Sequence, residues 1–159
     1  MSSLSTEKLR NAIGVEWEPT VYEIEKGMIR RFAQAIDDQN PLWQDAEYAK
    51  KSQYGGIIAP PNFILTIGFE QFQQKMNALM PDTARLYGGT EAEYFQPVRP
   101  GDIITFNGKI ADVSKRKGSK LGEMLFVTFE MSYKNQRQEL VAQCRQLSIL
   151  YQPEGKRNA

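Results

Sequence analysis

The 159 residues carry 20 Lys and Arg against 19 Asp and Glu, a formal net charge of +1, which gives no electrostatic case for a nucleic-acid or anionic-membrane partner. A lone cysteine, Cys144, excludes an intrachain disulfide and a zinc site of paired cysteines, and fits a reducing, cytoplasmic setting. No histidine occurs, so the commonest general base and the commonest metal ligand are both missing, and any chemistry rests on other side chains or on another chain.

One domain is expected over residues 1–151, followed by a polar tail at 152–159; no repeat or low-complexity linker divides them. Residues 1–14 hold no apolar core segment, so no signal peptide is expected, and nowhere do eighteen apolar residues run together. The β-branched stretch 20–24 reads as a strand. Met28, Ile29, Phe32, Ala33 and Ile36 then recur at helical spacing, and the Asn40-Pro41 pair predicts a stop near Asn40. Asp45 is placed to cap a short helix through Lys51, with Tyr54-Gly55-Gly56 ending it. A long helix is predicted from near Pro61 to before Pro81, apolar on several sides through Phe63, Ile64, Ile67, Phe69, Phe72, Met76 and Leu79. Four strands follow at 90–95, 103–113, 124–133 and 140–151, the third alternating cleanly at Leu125, Val127, Phe129, Met131 and Tyr133. A meander curled around one long helix is an α+β solution that buries that helix.

One segment, Ile36-Asp37-Asp38-Gln39-Asn40-Pro41-Leu42-Trp43 with Ala49 beyond it, resembles the hydratase 2 signature of the MaoC-like family. That signature reads Ser-Gly-Asp-x-Asn-Pro-Leu-His, then five residues and a small one. Asp38, Asn40, Pro41, Leu42 and Ala49 match it; Ile36, Asp37 and Trp43 depart, Trp43 standing at the histidine. Gly55-Gly56-Ile57-Ile58-Ala59-Pro60-Pro61 is similar to the family's Gly-Gly-x-Ile-Ala-His-Gly stretch. Tyr94 through Asp102 is similar to its segment ending Pro-Val-x-Pro-Gly-Asp. The pairing of Asn-Pro-Leu-Trp with Tyr-Gly-Gly-Ile-Ile-Ala-Pro-Pro resembles most the N-terminal half of two-part MaoC-type dehydratases.

The resemblance implies a hot-dog fold, a long central helix wrapped by an antiparallel sheet, and reversible addition of water across a 2-enoyl thioester. In active members an aspartate and a histidine hold and deprotonate the water, and a glycine N–H at the start of the central helix polarises the carbonyl. An indole N–H cannot accept a proton, and proline has no N–H to donate; Trp43 and Pro61 thus remove both the base and the oxyanion donor. The resemblance therefore implies the non-catalytic half of a hydratase or 3-hydroxyacyl dehydratase, paired with a histidine-bearing hot-dog subunit. It implies an acyl-CoA or acyl-carrier thioester as substrate, with no metal, no further cofactor, no nucleic acid and no membrane. A homodimeric acyl-CoA-binding protein and a histidine-free thioesterase based on Asp37 or Asp38 are the alternatives.

Asp38 is the remnant of the catalytic pair, with Asn40 beside it, although bracing the loop before Asn40-Pro41 accounts for it better. The expected substrate surface comprises Trp43, Tyr54, Gly55, Gly56, Ile57, Ala59, Pro60, Pro61 and Asn62, with packing the plainer role for Trp43. Lys115, Arg116 and Lys117 are candidates for the phosphates of coenzyme A, against a solvated hairpin tip as the default. Cys144 alternates with Leu140 and Ala142 and reads as core.

Overall fold

The computed structural model describes residues 6–118 and 121–152. The expected tail therefore lies outside the described residues, apart from Gln152, as do Ser119 and Lys120 of the expected hairpin tip. Five antiparallel strands, β1 (Thr20–Glu23), β2 (Ala84–Tyr94), β3 (Ile103–Gly118), β4 (Gly122–Lys134) and β5 (Leu140–Tyr151), form one sheet in the order β1-β3-β4-β5-β2. Helices α1 (Thr6–Asn11), α2 (Lys26–Ala35), α3 (Ala46–Lys51) and α4 (Phe69–Leu79) complete it with 3₁₀ turns at Pro41–Trp43 and Pro61–Thr66. The central helical segment lies against the inner sheet face, which is the hot-dog arrangement.

The alternation along β4 decides which face is inner. Leu125, Val127, Phe129, Met131 and Tyr133 are all buried, and most of their partners across β3 and β5, including Phe106, Ile110, Cys144 and Leu150, are buried with them. Onto this floor Phe72 of α4 sets its ring edge-on to Phe129 at 4.9 Å, and Trp17 lies within 6.2–6.3 Å of Phe72, Phe106 and Phe129. Gly108 makes room for Trp17, since a Cβ there would come within 2.6 Å of the indole. The outer face carries a charged row instead: Lys109 to Glu130 at 3.5 Å, then Glu130 to Arg145 at 3.5 Å. This polar-out, apolar-in division is that of an antiparallel sheet wet on one side.

The single long helix predicted from near Pro61 is interrupted. Pro61–Thr66 is a 3₁₀ stretch, and α4 starts only after Gly68, whose φ of 79° lies in the left-handed region. A Cβ on Gly68 would stand 2.4 Å from the Phe106 ring, so the break brings the backbone down onto the sheet where no other residue fits. The four later strands are not one meander either. Only β3, β4 and β5 follow in order; β2 crosses to pair with β5 and occupies the far edge. It also begins six residues earlier than expected, at Ala84, with an irregularity between Tyr87 and Gly89 that hides its alternation. α2 ends at Ala35, before the expected stop near Asn40, because Asp37 turns the chain at a φ of 54°. α3 forms as read, Asp45 accepting from the Glu47 and Tyr48 amides, but it stops at Ser52, and the glycines belong to the turn beyond.

Candidate functional site

The segment from Asp37 to Trp43 folds on its own side chains. Asp37 holds the left-handed conformation that the family signature gives to glycine, one of the few conformations an aspartate tolerates better than most residues. Asp38 Oδ1 accepts from the Asn40 amide at 3.0 Å, and Asn40 Oδ1 accepts from the Leu42 amide at 3.0 Å. Asp38 Oδ2 accepts from the Trp43 indole Nε1 at 2.8 Å. Trp43 is buried, so the expected packing role is joined by a polar one: its N–H satisfies the second oxygen of a half-buried carboxylate. Hydrogen bonds to an ionised acceptor each contribute on the order of 1.5–3 kcal/mol. Both carboxylate oxygens are thus engaged in bracing the loop.

That loop meets the next segment where the Ile58 amide donates to the Leu42 carbonyl at 3.4 Å, and Ala59 in turn donates to Val98 at 2.8 Å. Between residues 54–64 and the 94–98 segment opens a cleft of about 310 Å³. Tyr54, Ala59, Pro60 and Pro61 line it, and Tyr94 and Phe95 form the opposite wall. Asn62 holds that wall, its Oδ1 accepting from the Tyr94 hydroxyl at 2.9 Å. Burial, and secondarily Cys144, push the Tyr94 phenol upward, so it stays a hydrogen-bond donor at neutral pH. Ile57 is buried, and Asp38, Trp43, Gly55, Gly56 and Ile57 are not among the lining residues. The sequence had marked 94–102 only as a matching stretch; its aromatic wall is visible once β2 lies beside β5, where the Phe95 amide bonds Val141 at 2.8 Å.

Pro61 is the first residue of the 3₁₀ turn, and at that position no backbone N–H exists to meet a carbonyl. The residues that line the cleft include no carboxylate, lysine or arginine; its polar members are Tyr54, Tyr94 and Gln96. A larger hollow of about 680 Å³ lies on the sheet beside the charged row in which Lys109 and Arg145 both pair with Glu130. It holds none of the matching motifs.

The basic residues of the β3–β4 hairpin are placed far from the cleft. Arg116 stands opposite Met124, Met124 opposite Tyr151, and Tyr151 opposite Ala84, the start of β2. The cleft lies at the other end, by Tyr94, and eleven residues of strand at about 3.3 Å each separate them by roughly 35 Å. Lys115 pairs with Glu123 at 2.6 Å and Arg116 lies 4.6 Å over the Phe126 ring, so these side chains support their own hairpin. Cys144 is buried beside Tyr133, and burial pushes both the thiol and the phenol upward. No helix among the described residues is long and apolar enough to cross a membrane.

Comparison with known proteins agrees with this geometry. A family model described as FAS1-like, dehydratase domain region, matches residues 11–144. A protein of Thermobifida fusca called a UPF0336 protein is 34% identical over 116 residues, covering 70% of this chain and 76% of that one. A probable enoyl-CoA hydratase alpha subunit of Thermomonospora curvata is 27% identical over 141 residues, covering 79% of this chain and 44% of that subunit. Among solved structures, the ChsH1-ChsH2 complex of Mycobacterium tuberculosis superposes with a TM-score of 0.75 at 20% identity, covering 98% of this chain and all of the matched chain. The protein belongs to the FAS1-like dehydratase-region family, of the MaoC-like kind.

Proposed function

We propose that this chain is the acyl-thioester-binding, non-catalytic subunit of an (R)-type 2-enoyl-CoA hydratase or 3-hydroxyacyl dehydratase, working with a histidine-bearing hot-dog partner. The carrying observation is the 2.8 Å bond from the Trp43 indole to Asp38, where the signature has a histidine. Adding water to an enoyl thioester needs a base with a free lone pair near the reacting carbon. Asp38 spends both oxygens on the loop, the chain has no histidine, and Pro61 offers no N–H to the developing enolate oxygen. What remains is a cleft with apolar walls of a size suited to an acyl or pantetheine arm, and that is the share of the work a binding half does.

Two further features support a partner. One relative is named as an alpha subunit, and this chain spans less than half of it. The β2 edge, eleven residues long, has no neighbouring strand among the described residues. Pairing of β2 with a second hot dog about an approximate twofold axis runs the strands antiparallel, bringing the Ala84 end of each beside the Tyr94 end of the other. The Lys115, Arg116 and Lys117 tip then approaches the partner's cleft, the one arrangement in which these residues meet its thioester phosphates. The substrate is the thioester itself, with no further cofactor, and the acyl group is not specified by the cleft.

The test is product chemistry. The isolated chain, given a 2-enoyl-CoA, is expected to neither hydrate it nor release a free thiol, whereas the complex isolated from the native host hydrates it with the thioester intact. Hydration by the isolated chain would overturn the non-catalytic reading, and thiol release would make it a thioesterase.

A further inference from the structure

We infer that Arg99, together with the backbone amides of Gly56 and Ile57, forms an anion-binding point beside the cleft and takes the phosphate of a phosphopantetheine-linked thioester. This rests on the thioester-binding reading above and names a contact that the sequence motifs alone do not assign.

Arg99 follows Val98, one of the cleft residues, at the point where the Val98 carbonyl accepts from Ala59. Its guanidinium lies against the Gly55-Gly56 turn: Nη1 is 4.0 Å from where a Cβ on Gly56 would stand. That is ordinary van der Waals distance, so the guanidinium stands beside the turn without crowding it. The nearest acid in sequence, Asp102, does not pair with it. One carboxylate oxygen accepts from the Arg99 backbone amide at 2.8 Å and the other from Gln136 Nε2 at 3.2 Å. Among the described residues the Arg99 guanidinium has no ion-pair or hydrogen-bond partner, although it is half-buried.

The turn beside it has unspent donors as well. Gly55 donates to the Ser52 carbonyl, Ile58 to Leu42 and Ala59 to Val98, but the Gly56 and Ile57 amides between them meet no acceptor among the described residues. A fixed cation beside two consecutive unfilled backbone N–H groups is the donor set that binds a phosphate oxygen pair. Arginine suits that role because its planar fork offers several donors at once. The chemistry recognised is a phosphate ester, common to coenzyme A and to an acyl-carrier prosthetic group, with the neutral pantetheine arm directed along the cleft.

Titration calorimetry of the native complex with phosphopantetheine, pantetheine and inorganic phosphate tests this. The expected result is at least a tenfold preference for phosphopantetheine over pantetheine, weakening as salt rises. R99Q removes the preference while pantetheine binding stays as it was, and R99K keeps part of it. An R99Q complex that retains the preference, or that loses pantetheine binding equally, overturns the assignment. If R99Q does not fold, R99K and the wild-type salt dependence decide: a preference indifferent to salt and to R99K overturns it. Arg99-dependent binding of inorganic phosphate with no gain from the pantetheine arm overturns the thioester source. Binding of none of the three probes overturns the thioester-binding reading and this assignment together, a pattern distinct from failure at Arg99 alone.

Discussion

The two edges of the sheet are treated in opposite ways. On the β3 side, β1 covers residues 103–106, and the segment ahead of it continues the cover: Ile13 bridges Ile110, Glu16 bridges Lys109, and the Trp17 amide bonds the Gly108 carbonyl at 2.8 Å. Trp17 then folds its ring over Gly108 into the aromatic core. On the β2 side nothing comparable occurs. Tyr87 is 71% exposed and Leu86 44%, and no strand among the described residues pairs with this edge. A long uncovered strand with exposed apolar side chains is a hazard that proteins blunt with charge, proline or a covering segment. This chain places its covering segment on the other edge, which leaves β2 as the edge where the proposed hot-dog partner would pair.

The contrast is broken most forcefully from the covered side. Gly108→Val drives side-chain atoms into the Trp17 ring, and urea denaturation is expected to show a loss of about 3 kcal/mol, the upper part of the range for overpacking a core. A loss below about 0.5 kcal/mol would mean that Trp17 does not clasp this edge. A smaller effect is expected in the loop beside the cleft. Trp43→Phe keeps an aromatic ring of smaller volume but deletes the indole donor to Asp38, and a loss of about 1–2 kcal/mol should appear in the same assay. No loss would mean that water replaces the indole and that Asp38 is freer than its two bonds imply.

These effects also mark how far the sequence could be read. The Asp45 cap, the alternation of β4 and the span of β5 were legible because each is a local rule: a side chain bonding amides two and three residues on, or one face buried along a strand. The break at Gly68 was not, since its cause is the Phe106 ring, thirty-eight residues away on another element. A lone glycine inside a helical pattern was the one available warning. β2 was shortened for a similar reason: its irregularity after Tyr87 erases the period of two over residues 84–89.

The site divides along the same line. That Trp43 cannot act as a base follows from its identity alone; that its N–H fills Asp38 needed the fold of the loop to be seen. The wall of Tyr94 and Phe95 joins the cleft, and Arg99 comes to lie beside Gly56, only through pairing between distant segments, so no spacing in the sequence announced them. The hairpin residues Lys115, Arg116 and Lys117 show the converse. Their charge is plain in the sequence, but their distance from the cleft of their own chain is set by the register of four strands.

The least effect on stability is expected at the open edge. Leu86→Lys combined with Tyr87→Glu changes exposed positions and should shift the unfolding free energy of the isolated chain by no more than about 0.5 kcal/mol. The same pair places charges on the edge proposed for pairing, so it should weaken association at least tenfold in sedimentation analysis. An unchanged assembly would move the interface away from β2.

Native mass spectrometry of the chain, tagged at its own locus and isolated at endogenous expression, tests the central claim most directly. The account predicts a stable complex with a second hot-dog chain that carries an intact aspartate and histidine pair. Self-association alone, with no such chain present, would contradict it and leave a homodimeric thioester binder in its place.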